Sequence, residues 1–558
     1  MSPRALQESM LKSDEPPEAR LIASEEVVAR ALLEVGVGVV AAYPGPPTQG
    51  IVEHLARLQW SADLELRWTS SPRLAVELAH GASLAGRKSV ACLNAAGMGE
   101  AYSSLVAASR TGCGAGFLLM AGDDPGAWDS MAELDSRPLL SAAGLPIFEP
   151  SHVAEVGTMV AEAYRMARLY DLPVAVRLCT ALMEERVPAS ETRPFPAAPP
   201  GSARAPRRGV RLALPLAATV HEQRLQAKLE HISHASKFSR FAEALGSGSK
   251  GIVAVGFAYS KLKSLLGRGT LDNLRILKLG MVFPLPAYAL LEFLLQLEEV
   301  LILEEGEPYV ETEVRALLAE SVAKPRIHGK LSGAISLEGE LQRWEVEEAL
   351  RRLLPGLELA REAFPLAERT RRPLLSTMCP GCPLETLHAA VKALGQREPT
   401  ALRPIVVGDH GCLSSLASKK DRVVEVLAAP GSAIGLGLGY ALAQRERQVL
   451  VLTGDYGLLG RGVEELAVPA YRELPLTVVI VDNGGAASWG GPRRPSAEGL
   501  RFEELPKALN LPVFRVLDNP TREDVEQCVA DCLGYGKLAL VLVRFPCLVL
   551  EEVGFEQS

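Results

Sequence analysis

Polar residues that could form a metal site follow two apolar runs in the last third of the sequence. Gly454-Asp455 ends one run and Asp482-Asn483 ends the next, so Asp455 and Asn483 lie 28 positions apart. Both runs have the composition of buried parallel strands, and ligands bind at the carboxyl ends of such strands in open α/β sheets. A carboxylate, an amide carbonyl and the backbone of Gly485 offer the oxygen ligands that Mg²⁺ prefers beside phosphate oxygens. The pattern therefore predicts a phosphate-bound magnesium site, although each turn alone also fits an ordinary strand-to-loop turn.

Four cysteines in the same part of the chain form a second candidate site. Cys379 and Cys382 have C-x-x-C spacing, Cys412 follows one apolar run, and Cys547 follows the last one. Four thiolates can bind zinc or an iron–sulfur cluster, whereas the C-x-x-C pair alone could form a redox dithiol. Spacing does not choose among these alternatives or exclude a coincidental turn. The remaining cysteines are interpreted as structural or incidental: Cys92, Cys113, Cys179, Cys528 and Cys532.

The elements that must position these residues alternate between strand and helix along the chain. Apolar runs at 89–93, 448–452 and 476–481 are typical of buried parallel strands, and amphipathic helical patterns lie between them. Residues 188–209, rich in Pro, Ala, Ser and Arg, indicate a surface linker. We therefore predict an α/β fold with three doubly wound parallel sheets, in blocks 20–187, 210–354 and 366–550. Within 432–444, glycines at 435, 437 and 439 predict close packing of a helix on a sheet.

Charge and hydropathy exclude several classes of function. The 558 residues carry a net charge of -8, which argues against a nucleic-acid or polybasic membrane partner. The polar segment 1–20, with prolines at 16 and 17, lacks the apolar core of a signal peptide. No run approaches 18 apolar residues, so we expect no membrane insertion and a cytoplasmic location.

These motifs, in the same order over 21–550, resemble the large (alpha) subunit of indolepyruvate:ferredoxin oxidoreductase, in the 2-oxoacid:ferredoxin oxidoreductase superfamily of thiamine-diphosphate enzymes. The Asp455 to Asn483 spacing is similar to the thiamine-diphosphate motif, which runs from Gly-Asp-Gly to a later Asn. Further similar segments are Ala41–Gly45, Gly122–Pro125, Asp135–Arg137, Pro146–Ser151, Lys278–Pro286, Glu304-Glu305, Gly339–Leu341, Cys379–Pro383, Gly408–Cys412 and Pro546-Cys547.

The resemblance implies a domain arrangement and a set of site residues. Block 20–187 would be a pyrimidine-type thiamine-diphosphate domain, 210–354 a transketolase C-terminal-like domain, and 366–550 the diphosphate- and metal-binding domain. Thiamine diphosphate would be bound by Tyr43, Pro44, Gly45, Gly408, Asp409, His410, Gly454, Asp455, Tyr456, Gly457, Asn483 and Gly485. Mg²⁺ would be held by Asp455, Asn483 and Gly485, and a [4Fe–4S] cluster by Cys379, Cys382, Cys412 and Cys547.

The implied reaction is oxidative decarboxylation of a 2-oxoacid, of the aryl, indolepyruvate-like kind, to an acyl-coenzyme A. Electrons would pass through iron–sulfur clusters to a ferredoxin-like carrier, while the protein positions the cofactor. Relatives pair with a smaller beta- or gamma-type subunit, so a hetero-oligomer is expected. The family subunit usually continues into a ferredoxin-like domain with two C-x-x-C-x-x-C-x-x-x-C-P runs. None occurs before Ser558, so a partner is expected to relay the electrons.

Three departures from the family pattern fall in the pyrimidine and substrate half. Pro72 stands where relatives have the Glu that activates the aminopyrimidine ring, and it indicates the first residue of a helix instead. The catalytic residue is therefore unassigned. Gly45-Pro46-Pro47 replaces Gly-Thr-Pro, and the segment 94–99 lacks the Lys-His and Asn of its counterpart.

Loss of one general acid/base group typically slows a reaction by about 100- to 10,000-fold. Glu77 and Glu100 are two carboxylates that could substitute. Two alternatives therefore stand beside the main interpretation. One is a catalytically degenerate paralogue that serves as an electron-transfer or structural subunit. The other is a non-oxidative thiamine-dependent 2-oxoacid decarboxylase or lyase.

Overall fold

The computed structural model describes residues 21–57, 64–189, 211–235, 241–266, 273–319, 321–322, 324–355, 359, 378–397, 403–484, 501–511 and 513–548. The chain forms two compact units, Met1–Pro373 and Leu374–Ser558. The predicted magnesium ligand Gly485 and most of the predicted linker lie outside the described residues. Within the described ranges, no helix is long and apolar enough to cross a membrane.

The first unit contains strands β1 to β14 and twelve α-helices among its described residues. The strands are β1 (Leu21–Ala23), β2 (Val39–Ala42), β3 (Glu65–Trp68), β4 (Ser89–Asn94), β5 (Phe117–Asp123), β6 (Ile147–Phe148), β7 (Val174–Cys179), β8 (Arg186–Pro188), β9 (Ala242–Gly246), β10 (Lys250–Val255), β11 (Arg275–Leu279), β12 (Met281–Phe283), β13 (Glu299–Leu303) and β14 (Arg326–His328). The helices are Ser24–Glu34, Gln49–Arg57, Pro72–Leu84, Ala95–Thr111, Arg137–Ala143, Val156–Tyr170, Thr180–Met183, Pro215–Ala235, Ala258–Lys263, Ala287–Leu294, Tyr309–Ala319 and Arg343–Leu353, with a 3-10 turn at Val153–Glu155.

Two larger sheets and one strand pair organise the first unit. A seven-stranded sheet has the order β12-β6-β7-β5-β4-β2-β3, and a five-stranded sheet has the order β14-β13-β10-β11-β9. Strand β1 pairs with β8 in a separate antiparallel ribbon. All seven residues of β5 are buried, as expected for a parallel strand covered on both faces. Strand β12 comes from the second predicted block but pairs antiparallel with β6, so this block completes the first sheet.

The second unit is built on one sheet of six parallel strands. They are β15 (Ile405–Gly408), β16 (Val426–Leu427), β17 (Val449–Gly454), β18 (Leu476–Asp482), β19 (Phe514–Asp518) and β20 (Ala539–Arg544), in the order β16-β15-β17-β18-β20-β19. The described α-helices are Leu384–Arg397, Ser415–Ser418, Ala433–Ala443, Asp455–Gly457, Val463–Leu466, Leu505–Ala508 and Arg522–Tyr535. Shorter turns are 3-10 at Gly411–Ser414, Pro469–Glu473 and Phe502–Glu504, and π-helical at Leu458–Gly462.

Helix Ala433–Ala443 packs on this sheet through one of its three predicted contact glycines. A Cβ atom added at Gly437 would lie 2.3 Å from Cγ2 of Val451 in β17. At Gly435 the nearest atom is instead a carboxylate oxygen of Glu465, and at Gly439 no described atom lies within 4 Å. The close packing predicted from the sequence is therefore correct for Gly437 and wrong for the other two.

Each large parallel sheet has a point where the chain changes direction across it. In the seven-stranded sheet the chain runs from β2 to β3 on one side and then to β4 on the other. In the second unit it runs from β15 to β16 and then to β17 across β15. A crevice opens at the carboxyl ends of the strands at such switch points, and ligands of open α/β sheets bind there. The β2/β4 and β15/β17 ends are thus the places where the fold offers a ligand site.

Candidate functional site

Three acidic or amide residues of the second unit stand side by side at the carboxyl edge of its sheet. Asp409 follows β15, Asp455 follows β17, and Asn483 follows β18. These strands are neighbours, and the pairs Gly408–Leu452 and Gly454–Val481 align their ends. The fold thus brings Asp455 and Asn483, predicted magnesium ligands, to one edge, next to the β15/β17 switch point.

Both carboxylate oxygens of Asp409 accept hydrogen bonds from the protein itself. Oδ1 accepts the backbone N–H groups of His410 and Gly431, each at 2.8 Å. Oδ2 accepts the hydroxyl of Thr453 at 2.9 Å. Burial raises the pKa of Asp409, and these three donors oppose that rise. Asp409 was predicted to bind the cofactor, but its observed contacts hold chain segments together.

Asp455 begins the helical turn that follows β17. Its side chain is buried, and Oδ1 accepts the N–H of Tyr456 at 2.9 Å. The helix continues as the π-helical turn Leu458–Gly462, a feature that is frequent at functional sites. No described atom lies within 4 Å of a Cβ added at Gly454, so the space beside this residue is open. At Gly457 an added Cβ would lie 2.3 Å from Oδ2 of Asp409, so a residue without a side chain leaves room for this carboxylate.

The turn that carries Asn483 is fixed by its neighbours. Asp482 accepts the N–H of Gly484 at 3.3 Å, and Nε of Arg544 lies 3.5 Å from Oδ2 of Asp482. Gly484 has a φ of 85°, in the left-handed region that favours glycine. No described atom lies within 4 Å of a Cβ added at Gly484. This turn therefore combines a fixed backbone with open space beside it.

The four candidate cluster cysteines belong to one region of the second unit. Cys379 is exposed and the other three are half-buried. Burial raises the pKa of Cys382, and the nearby thiols of Cys379 and Cys547 raise it further, which indicates that these three lie near one another. Cys382 and Cys412 pack against the same hydrophobic core. Across the described ranges, however, no group of three or more His, Cys, Asp or Glu side chains has a metal-binding arrangement.

At the β2/β4 switch point of the first unit, side chains of the protein pack against one another. A Cβ added at Gly45, in the Tyr43-Pro44-Gly45 segment after β2, would lie 2.4 Å from Nδ2 of Asn94. Oδ1 of Asn94 accepts the N–H of Gly97 at 2.9 Å and caps the helix Ala95–Thr111. Cγ of Pro72 lies 3.1 Å from a Cβ added at Gly97. Gly45, Asn94 and Pro72 thus meet at this edge.

Pro72 is the first residue of its helix, as the sequence predicted. The hydroxyl of Ser71 caps this helix by accepting the N–H of Leu74 at 3.3 Å. Of the two carboxylates named as substitutes, Glu77 is exposed and accepts the hydroxyl of Ser104 at 3.0 Å. Glu100 is half-buried in the helix that follows β4. Glu77 is therefore a surface residue.

A buried network of charged side chains joins the first unit's two large sheets, and the sequence analysis did not predict it. The Arg137 guanidinium is fully buried; it lies 2.6 Å from Asp135 and 2.7 Å from Glu304. It also donates to the backbone carbonyls of Glu305 and Glu307, at 2.7 and 2.8 Å. Burial alone would raise the pKa of Asp135, but the guanidinium of Arg137 beside it holds that pKa well below its usual range.

Arg177 and Lys261 extend this network, and neither was singled out from the sequence. Arg177, in β7, lies 2.5 Å from Asp123 and 3.1 Å from Glu149. Lys261 pairs with Glu305, and lies 3.0 Å from Glu340. The signal that could have found Arg177 is a charged residue inside an otherwise apolar strand, because a buried charge needs a partner.

The same network fills the switch point of the five-stranded sheet. There the chain passes from β10 to β11 on one side and later to β13 on the other, and Glu304-Glu305 directly follow β13. Arg137 binds the Glu304 carboxylate and Lys261 binds the Glu305 carboxylate. The crevice where a doubly wound sheet would take a ligand is thus occupied by side chains of the protein.

Sequence comparison finds relatives of this chain among known proteins. The family model described as "Thiamine pyrophosphate enzyme, C-terminal TPP binding domain" matches residues 409–543. The chain is 28% identical over 563 residues to indolepyruvate oxidoreductase subunit IorA of Methanothermobacter thermautotrophicus, covering 97% of this chain and 89% of the relative. It is 27% identical over 567 residues to the IorA subunit of Archaeoglobus fulgidus, covering 96% and 88%.

A shorter match is to 2-oxoacid:ferredoxin oxidoreductase 1 subunit beta of Aeropyrum pernix, at 32% identity over 151 residues, covering 27% of this chain and 46% of that protein. Together these matches confirm the resemblance inferred from the motifs. Over most of its length the chain is similar to indolepyruvate oxidoreductase subunit IorA, and residues 409–543 of its second unit match the model of a thiamine pyrophosphate-binding domain.

Proposed function

We propose that this chain is the thiamine-diphosphate-binding subunit of a 2-oxoacid oxidoreductase. The observation that carries the proposal is the alignment of Asp455 and Asn483 at the switch-point edge of the second unit's sheet, inside the matched thiamine pyrophosphate domain. Thiamine diphosphate, when bound, supplies the carbanion stabilisation that decarboxylation of a 2-oxoacid needs. The protein's part is to bind and orient this cofactor at the edge.

The second unit would hold the cofactor through a magnesium ion. The Asp455 carboxylate and the Asn483 amide, with the backbone of Gly485, are the oxygen ligands proposed for Mg²⁺. The open space beside Gly454 supports this proposal, because a diphosphate needs room at the strand end where a side chain would otherwise stand. Tyr43, Pro44 and Gly45 of the first unit, and His410 and Tyr456 of the second, are proposed as further cofactor-binding residues.

Electrons from the 2-oxoacid need a carrier, and we assign this role to a [4Fe–4S] cluster at Cys379, Cys382, Cys412 and Cys547. Support comes from the effect of Cys379 and Cys547 on the pKa of the Cys382 thiol, and from the packing of Cys382 and Cys412 on the same hydrophobic core. Such clusters are held by four thiolates, and a C-x-x-C pair with two distant cysteines supplies that number.

Substrate and partners follow from the relatives. Their names include indolepyruvate, 2-oxoacid, ferredoxin and a beta subunit. We propose an aryl, indolepyruvate-like 2-oxoacid as substrate, a smaller beta- or gamma-type partner subunit in a hetero-oligomer, and a ferredoxin-like carrier. Coenzyme A as acyl acceptor and a cytoplasmic location complete the proposal. The proposed domains are pyrimidine-type (20–187), transketolase C-terminal-like (210–354) and diphosphate-binding (366–550), with 188–209 as linker.

A second candidate function is a catalytically degenerate subunit with an electron-transfer or structural role. It is favoured by the first unit's switch point, where Pro72 stands at the position expected for the activating Glu and packs on Gly97 beside Asn94. A proline has no group that can move a proton. In this case the chain would bind cofactor and cluster without turning over a 2-oxoacid.

The two candidates are separated by anaerobic co-purification with the partner subunit, followed by assays for iron, thiamine diphosphate and 2-oxoacid-dependent dye reduction. Bound cofactor with aryl 2-oxoacid turnover supports the first; bound cofactor without turnover on any aryl or branched 2-oxoacid supports the second. Absence of iron overturns the cluster assignment. Absence of thiamine diphosphate binding overturns both.

Matched variants test the assigned residues. Asp455→Asn should weaken thiamine diphosphate binding in the presence of Mg²⁺ by at least about tenfold, because a metal ligand loses its charge. Asp518→Asn is the control, since Asp518 also ends a parallel strand but is an exposed edge residue paired with Arg544 at 3.2 Å. Cys382→Ser should lower bound iron, whereas Cys528→Ser should not. Equal effects within either pair would contradict the assignment.

A further inference from the structure

We propose that Asp409 is a positioning residue, which ties together the loops of the second unit's cofactor edge and acts on thiamine diphosphate only through them. This inference rests on the proposed function. It departs from the cofactor contact implied by the resemblance. The carboxylate bridges three separate segments across the β15/β17 switch point, which is where the ligand crevice of this sheet opens.

The three segments are held by three different donors. The N–H of His410 belongs to the turn after β15, and the hydroxyl of Thr453 lies near the carboxyl end of strand β17. The N–H of Gly431 belongs to the loop between β16 and helix Ala433–Ala443, where Gly431 has a φ of 77°. The His410 side chain adds a second link from the turn after β15 to this loop, through the backbone of Ala428. Asp409 therefore fixes the relative positions of the two crevice walls.

A fourth segment packs directly on this carboxylate. Gly457, in the helical turn that begins at Asp455, lies so close that an added Cβ would stand 2.3 Å from Oδ2 of Asp409 and 2.5 Å from the hydroxyl of Thr453. The turn that starts with the proposed magnesium ligand is thus seated against Asp409. A side chain in this position sets where Asp455 sits without needing to touch the metal.

Such supporting contacts have a measurable effect on ligand binding. Residues that orient metal ligands typically change metal affinity by about 10- to 100-fold when they are replaced. Loops that are already ordered also lose less entropy on binding. We therefore expect Asp409 to raise thiamine diphosphate affinity by keeping the edge preorganised.

The distinguishing test is rescue by asparagine. Asp409→Ala removes the acceptor for all three donors, and it should weaken thiamine diphosphate binding with Mg²⁺ by at least about tenfold. Asp409→Asn retains one carbonyl oxygen for the two N–H groups, and its amide can donate to the Thr453 hydroxyl, which also accepts hydrogen bonds. We expect its affinity within about threefold of the wild type, because the geometry survives although the charge is lost.

Two buried threonines of adjacent strands give a matched control. Thr453 in β17 donates to Asp409, whereas Oγ1 of Thr477 in β18, also fully buried, has no hydrogen-bond partner within the described residues. Thr453→Val should weaken thiamine diphosphate binding, and Thr477→Val should not. Hydrogen exchange of the cofactor-free protein should quicken in the segment 428–432 of Asp409→Ala and Thr453→Val, and stay unchanged in Thr477→Val.

The possible outcomes distinguish failure of the proposed function from failure of the inference about Asp409. Isothermal titration with thiamine diphosphate and Mg²⁺ measures the affinities, and a wild type that does not bind overturns the proposed function together with this inference. A wild type that binds, with Asp409→Ala or Thr453→Val unchanged in affinity, overturns the inference alone. Asparagine as poor as alanine also overturns it, since the charge would then act directly on the metal or cofactor. If Asp409→Ala does not fold, the threonine pair decides.

Discussion

Replacing Arg137 by methionine should cost the first unit a large part of its stability. Methionine keeps an unbranched apolar stem but lacks the guanidinium, so Asp135 and Glu304, within 2.7 Å of that group, stay buried without it. The backbone carbonyl of Glu307 loses this donor as well, and that of Glu305 keeps only the longer bonds from Arg177, at 3.4 and 3.5 Å. Removing one partner of a buried ion pair typically costs about 3–5 kcal/mol, because the desolvated charge is left uncompensated. We expect a loss of that size in the free energy of unfolding.

Two control variants give reference values for this loss of stability: one removes an exposed arginine, and the other keeps the charge at position 137. Arg165 is 63% exposed and pairs with Glu162 one helical turn away, so Arg165→Met should cost less than about 1 kcal/mol. Arg137→Lys keeps the charge but loses the planar fork that reaches two carboxylates and two carbonyls. Its cost should fall between those of the other two variants.

Urea unfolding followed by tryptophan fluorescence measures these costs. Trp128 reports on the network, because its indole N–H donates to Glu340 at 2.9 Å. In Arg137→Met the pKa of Glu304, which burial already raises, should rise further above that of the unfolded chain, whereas Asp135 keeps Arg177 at 3.7 Å. Protonation of Glu304 then stabilises the folded state of the variant at low pH, and this stabilisation is lost as the pH rises. The loss of unfolding free energy relative to the wild type should therefore become smaller as the pH is lowered from 7 to 5. A cost at pH 7 equal to that of Arg165→Met would refute the reasoning.

Two further predictions concern the second unit's core and the first unit's switch point. Gly437→Ala should lower the unfolding free energy by about 1–3 kcal/mol, because its Cβ would meet Val451 at 2.3 Å. Gly439→Ala has open space around the new Cβ and should raise the unfolding free energy by up to about 1 kcal/mol. Equal effects of the two variants in urea unfolding would contradict this packing. Pro72→Glu should speed deuterium exchange at the acidic ring carbon of bound thiamine diphosphate by at least about 100-fold, with Pro72→Gln as the uncharged control; an unchanged rate would reject the alignment of this position with the family's Glu.

Local signals in the sequence were sufficient for the strands that carry the site. The run predicted at 89–93 corresponds to β4, and those at 448–452 and 476–481 correspond to β17 and β18. Buried parallel strands are apolar on both faces, so their positions stand out as continuous runs. The resemblance, which the comparisons confirm, relates these runs to motifs in the same order. The fold then brings Asp455 and Asn483 to the carboxyl edge of the second unit's sheet.

Features that depend on contacts distant in sequence were not predictable in this way. The pairing of β12 with β6 joins residues more than 130 positions apart, and no local pattern marks it. The ion network draws on residues from 123 to 340. Glycine spacing in helix Ala433–Ala443 misled for a simpler reason: residues two apart point to different faces of a helix, so Gly435 and Gly437 cannot both face the sheet.

The shared sheet and the filled crevice have a practical consequence for expression of fragments. A chain ending near residue 190 would expose the edge of β6 that β12 covers, and would bury Arg137 without Glu304. A chain starting near residue 210 would leave the buried Glu304 carboxylate without Arg137. An uncovered strand edge invites association between copies, and an unpaired buried charge invites unfolding. Fragments of the first unit should therefore span 21–355 to remain soluble and monomeric.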